Sequence, residues 1–314
     1  MQNLSSTLVV LATGGTIAGR AGSASDNLGY RSAELGVAEL LHGIELDPSL
    51  VVEGEQVAQI DSKDMAPSIW LALATRAAHH LGRPEVMGLV VTHGTDTLEE
   101  TAWLLHRVLA PAKPVVLTAA MRPATSMQTD GPQNLADALL LAAVEGACGV
   151  LAVLGGRVQA AADLRKRHSW RLDAFAGGDA GPVACIEQGA VRRFREWPRG
   201  QALGLAPLVA GAERWPWVEI VTSHAGACGA GVDALAAAGV QGLVVAGTGN
   251  GTVHQVLAEA LDRAQARGVA VRVCSRCADG PVLAPPNPRW PVVSGLSPAQ
   301  TRIDLWLELL QRGC

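Results

Sequence analysis

Leu8-Val9-Val10-Leu11-Ala12-Thr13-Gly14-Gly15-Thr16-Ile17-Ala18-Gly19 is the stretch whose reading decides the fold. Its first five residues form an unbroken apolar run, the signature of a strand buried on both faces of a parallel sheet. The glycine pair after it allows a sharp backbone turn and leaves space for a ligand. Thr16 therefore falls just past the carboxyl end of a strand, where open α/β sheets place their ligands. Residues 88–92 repeat the design and run into His93-Gly94-Thr95-Asp96-Thr97, with a helix expected from Leu98. If the two strands are neighbours, Thr16 and Thr95 share one pocket.

Outward from these two loops the chain alternates strands with helices. Strands are expected at residues 51–60, 114–117 and 150–154, and helices at 33–42, 68–81 and 134–147. Thr97-Leu98-Glu99-Glu100 has the form of a capping box. This alternation predicts a mostly parallel sheet flanked by helices, filling residues 1–190. The rhythm is lost over 191–213, read as a linker. A smaller parallel α/β domain is expected over 214–314. Its strands are expected at 218–221, 243–246 and 269–273, and its helices at 232–238, 252–266 and 298–312.

With 49% hydrophobic and 17% charged residues, the 314-residue chain can bury a large core. A net charge of −4, and tryptophans not interleaved with basic clusters, argue against a nucleic-acid partner. Residues 1–19 lack Lys and Arg, and their apolar run is too short to span a bilayer, so no signal peptide or membrane anchor is read there. The expected location is the cytoplasm. The six cysteines (Cys148, Cys185, Cys228, Cys274, Cys277 and Cys314) are then thiols. The lone CxxC pair, Cys274 and Cys277, has no partner pair with zinc spacing, so no metal is expected.

The turn at Thr16 matches neither a dinucleotide fingerprint nor a P-loop, and no cofactor is implied. A purely structural turn is the plain alternative. Threonine near aspartate suits nucleophilic chemistry, provided a base takes the hydroxyl proton. Lysine serves when burial or a nearby charge adjusts it. Only Lys63, Lys113 and Lys166 exist. Lys113 sits at the wrong end of a strand, whereas Lys166 follows the strand at 150–154 and can reach the carboxyl edge. The small, glycine-rich stretch 19–30 reads as a lid, and it carries Tyr30, the chain's sole tyrosine. His93 reads as a packing or hydrogen-bonding residue, and Met121 and Arg122 as loop-shaping ones.

The segments Ala12–Gly19 and Thr92–Ala102 resemble the two signature motifs of bacterial-type L-asparaginases. The stretches 54–57, 120–123, 130–132 and 247–251 fit the same family, in order along nearly the whole chain. The resemblance implies hydrolysis of L-asparagine to L-aspartate and ammonia without a cofactor. It makes Thr16 the nucleophile, Tyr30 its lid partner, and Thr95, Asp96 and Lys166 a second group that activates water or moves protons. It assigns Ser62 and Asp96 to the substrate's α-carboxylate and α-amino groups, and Asn250 to a neighbouring subunit's site. It implies a homotetramer built as a dimer of dimers, with the C-terminal domain completing a neighbour's site. Two readings compete: an amidase subunit of a tRNA-dependent amidotransferase, and a non-enzymatic amino-acid sensor. The chain departs from the pattern at Lys63, where periplasmic members often have Gln or Glu. It also lacks a glutamate between Glu259 and Glu308, where glutamine-using members supply one to the partner; Asp279 is the available stand-in. Glutamine use is accordingly expected to be weak.

Overall fold

The computed structural model describes residues 6–45 and 47–313. The chain divides into two compact units after Leu205. In the first, β1 (Ser6–Gly14), β2 (Leu50–Ile60), β3 (Val86–Thr92), β4 (Pro114–Thr118) and β5 (Gly149–Leu154) lie parallel in the order β2-β1-β3-β4-β5. Helices α1 (Val37–Leu41), α2 (Pro67–Leu81), α3 (Leu98–Leu109) and α4 (Gly131–Ala142) connect them. The apolar runs explain the arrangement: Leu8, Val10, Leu11, Leu89, Val90, Val115 and Val116 are all buried, as strands covered on both faces must be.

Strand order reverses between β1 and β3, which pair directly with Ala12 opposite Thr92. Such a reversal splays the two following loops to opposite sides of the sheet and opens a crevice between them. The condition set by the sequence is therefore met: the Thr16 and Thr95 loops leave adjacent strands at the switch point.

Beyond β5 the sheet continues antiparallel through β6 (Arg157–Ala160), β9 (Ala184–Glu187) and β10 (Ala190–Arg193). Between β6 and β9, β7 (Arg165–Lys166) and β8 (Phe175–Ala176) form a separate two-stranded ribbon. Residues 191–193, expected to open the linker, thus close the sheet. A tight turn with Gln188 and Gly189 at positive φ folds β10 back onto β9. At the other end of the expected linker, Ala206–Ala210 forms helix α5.

The second unit holds the parallel sheet β11 (Val218–Thr222), β12 (Gly242–Gly247) and β13 (Ala270–Ser275), with α6 (Ala230–Ala237), α7 (Gln255–Ala266) and α8 (Pro298–Arg312). Helix α7 starts later than expected because Thr248 and Thr252 bond each other across a loop, and the His254 side chain caps Val256 N–H. Cys274 is buried at the end of β13, where burial pushes its thiol up to about 11, and Cys277 is exposed. Cys314 lies outside the described residues. Among the described residues no helix is long and apolar enough to cross a membrane, and no His, Cys, Asp or Glu cluster could hold a metal.

Candidate active site

The two glycine turns interlock. Gly15 has φ of 82°, and a Cβ there would run into the Gly94 backbone. A Cβ on Gly94 would in turn strike the Ser62 hydroxyl. Glycine at both positions lets the loops after β1, β2 and β3 pack edge to edge. Gly15 N–H donates to Ile60 O at 2.8 Å, and the Thr13 hydroxyl donates to Thr92 O at 2.9 Å, so each loop is tied to the next strand.

The cavity between them holds about 240 Å³. Thr16 opens onto it from a short 3-10 turn, its Oγ1 2.7 Å from the Tyr30 hydroxyl. Opposite, Lys166 Nζ donates to Thr95 Oγ1 at 2.9 Å and to Asp96 Oδ1 at 2.6 Å. Lys166 comes from β7, 71 positions away in sequence from Thr95. The short ribbon β7–β8 delivers the ammonium to the sheet's carboxyl edge. Ser62 Oγ accepts from Asp96 N–H at 3.2 Å, fixing the Asp96 loop against the one after β2.

Beneath Thr95 runs a buried chain of hydrogen bonds. Trp70 Nε1–H donates to Thr101 Oγ1 at 2.9 Å, and Thr101 Oγ1 lies 2.9 Å from His93 Nε2. His93 Nδ1 lies 2.7 Å from Gly94 O. A carbonyl only accepts, so Nδ1–H donates to Gly94 O; burial keeps the other ring nitrogen unprotonated, so Nε2 accepts from the Thr101 hydroxyl, which itself accepts from the Trp70 indole. The imidazole is then neutral. Complete burial depresses it to about 4, against the opposing pull of the Gly94 carbonyl. Anchoring the Gly94 carbonyl inward turns the N–H of the same planar peptide, that of Thr95, the other way. His93 thus has the hydrogen-bonding role read from the sequence.

Against this geometry the comparisons with known proteins decide the family. Residues 7–199 match the family model described as asparaginase, N-terminal, and residues 217–310 the glutaminase/asparaginase C-terminal domain. The chain belongs to the asparaginase family. L-asparaginase 2 of Escherichia coli is 37% identical over 276 residues, covering 87% of this chain and 78% of that protein. A glutaminase-asparaginase of Pseudomonas fluorescens is 35% identical over 305 residues, covering 94% and 84%. The crystal structure of a probable cytoplasmic L-asparaginase from Campylobacter jejuni superposes with a TM-score of 0.90 at 33% identity, covering 98% of this chain and 96% of that one.

Within this asparaginase fold, Thr16, Tyr30, Ser62, Thr95, Asp96 and Lys166 all border the one cavity. Asn250 belongs to the second unit, where its side chain donates to Leu283 O at 2.9 Å and accepts from Leu283 N–H at 2.7 Å. Lys63, the departure from the family pattern, pairs with Asp61 at 2.8 Å and Asp64 at 3.1 Å. Burial raises Asp61, but Lys63 and the hydroxyl of Ser32 outweigh it and hold the carboxyl below its usual range. The expected capping box at Thr97 does not form. The Thr97 hydroxyl donates to Ser62 O at 2.8 Å, and holding the neighbouring loop takes precedence over capping α3.

Three cavity residues escaped the sequence reading, Asp61, Ser169 and Trp170; Asn27 and Leu28 reach the cavity from the expected lid, and Met121, read as loop-shaping, also borders it. Trp170 stands alone in the polar run Arg167-His168-Ser169-Trp170-Arg171, with no periodicity to mark it. Its nearness to Lys166 in sequence was the available signal.

Proposed function

We propose that this chain hydrolyses L-asparagine to L-aspartate and ammonia, with Thr16 as nucleophile. One observation carries the reading: a hydroxyl paired with a phenol and a hydroxyl paired with an ammonium–carboxylate couple face a cavity of amino-acid size. Thr16 Oγ1 attacks the side-chain amide carbon while its proton passes through Tyr30 Oη, the phenol accepting it only as it releases its own proton to solvent. The developing oxyanion meets the outward-turned N–H of Thr95, a type of donor worth about 10²–10³-fold in rate. The Thr95 hydroxyl, held by Lys166, passes a proton to the leaving nitrogen, and ammonia departs from an acyl-Thr16 ester. Water then adds to the ester carbon, gives a proton back through the same groups, and releases aspartate and free Thr16. Ser62 and Asp96 hold the α-carboxylate and α-ammonium.

The relatives named glutaminase-asparaginase support L-glutamine as a second substrate, and the lack of a glutamate between Glu259 and Glu308 is the ground for expecting it to be the weaker one. Assembly as a homotetramer, with Asn250 and the C-terminal domain serving a neighbour's site, belongs to the same proposal, as does a cytoplasmic location. Relatives carry both addresses: the Campylobacter jejuni protein is titled cytoplasmic and the Haemophilus influenzae one periplasmic. The deciding experiment assays ammonia from L-Asn, D-Asn and L-Gln in parallel with purified protein and no added metal. Release from L-Asn is expected; binding without turnover would overturn the reading in favour of a sensor.

A further inference from the structure

The walls of the cavity follow the strand order. Asp61 and Ser62 follow β2 at one end, Thr16 follows β1, Thr95 follows β3, and Met121 follows β4 at the other end. If the amino-acid head group sits at Ser62 and Asp96, a longer side chain extends past the two threonines toward the β4 end. There Met121 and Trp170 form the wall.

That wall is built rather than incidental. The Arg122 guanidinium lies over the Trp170 ring, 4.2 Å from its centroid. Its Nη1 donates to Trp170 O at 2.9 Å and to Met121 O at 3.1 Å, so one side chain fastens both wall residues. The Asp130 carboxylate accepts from Met121 and Arg122 backbone N–H groups at 3.0 Å, fixing the loop that carries the guanidinium. Arg122 itself is 7% exposed, and its Nε is buried with no hydrogen-bond partner. A guanidinium held this way commits its flat face to the indole.

We infer that Trp170, clamped by Arg122, is the specificity-determining wall that favours an acyl chain of asparagine's length over that of glutamine. The inference rests on the proposed amidohydrolase reading. Removing the indole makes room for the extra methylene of glutamine, and a pocket's selectivity over one methylene spans about 10–200-fold. Arg122 acts as a positioning residue through Trp170 and Met121.

The test is the ratio of kcat/KM for L-glutamine to that for L-asparagine. In Trp170→Ala this ratio is expected to rise about tenfold, through a fall in KM for glutamine. Trp170→Phe, which keeps a flat ring, is expected to stay within about twofold of the parent. Arg122→Lys, which loses the flat stack, is expected to shift the ratio part of the way. Thermal melts identify variants that fail to fold, and because Trp170 is 43% exposed its truncation leaves the core intact. An active parent with an unmoved ratio in folded Trp170→Ala overturns this inference alone. Equal losses for both substrates also overturn it, showing a merely structural indole. A parent that releases ammonia from neither amide overturns the functional reading together with it.

Discussion

The Thr16 and Thr95 loops share a backbone design and differ in what surrounds the hydroxyl. Each follows a buried parallel strand, turns on glycine and presents threonine to the cavity. Thr16 meets the phenol of Tyr30, supplied by the loop before α1. Thr95 meets an ammonium and a carboxylate above and stands on a buried relay of His93, Thr101 and Trp70 below. The difference teaches that strand-end geometry places a hydroxyl, whereas its charged neighbours set what it does. A hydroxyl facing a phenol is free to form a covalent bond. One locked to an ammonium is suited to moving protons.

The strongest way to break this contrast is to delete each hydroxyl. Thr16→Ala and Thr95→Ala are each expected to lower kcat by about 10³-fold or more, and the double variant to fall little further, because groups acting as one unit are not additive. Ammonia release from folded protein checks this; a single variant that keeps most of its kcat would end the assignment of paired roles. Next in size is Lys166→Met, expected to cost about 10²-fold or more in kcat, the scale of a lost proton-transfer group. Lys166→Arg should not restore it, since a planar fork does not reproduce a compact ammonium between Thr95 and Asp96. Tyr30→Phe removes the hydroxyl through which the Thr16 proton passes, and a loss of about 10²-fold in kcat is expected. If Tyr30→Phe cost as much as Thr16→Ala, the phenol would rank with the nucleophile itself and the contrast would sharpen.

The smallest effect on turnover is expected under Thr95. His93→Gln should leave kcat within about tenfold, as one positioning bond is altered. Its clearer mark is on stability. Burial holds folded His93 at about 4, so the unfolded chain takes up this proton first. Stability is therefore unaffected above about pH 6.5 and falls as pH drops toward 4, by about 3 kcal/mol at most from this group. Melting temperatures from pH 7 to pH 4.5 should fall less steeply in His93→Gln than in the parent. Parallel curves would show that the imidazole is not buried neutral.

Much of the fold was readable in order. The runs at 8–12 and 88–92 are apolar because both faces of those strands are covered, and such runs announce themselves without tertiary help. The antiparallel extension was not readable because β6 and β9 are only four residues each, and the edge strand Ala190–Arg193 is mostly exposed and carries no apolar pattern. Thr97 misled for a related reason. A capping sequence describes what a hydroxyl will do in isolation, and here Ser62 O offered a better partner.

The sequence alone determined where the strands end and that Thr16 and Thr95 stand at those ends, because apolar period and glycine punctuation are local properties. It also supplied a lysine able to reach the edge and a tyrosine on the loop beside Thr16. Only the tertiary structure decided that Lys166 lands on Thr95, that His93 is neutral with its proton on Nδ1, and that Arg122 presses Trp170 into a cavity wall. Each of those depends on groups brought together across dozens of residues, where distance and burial set the electrostatics and local pattern carries no information about either.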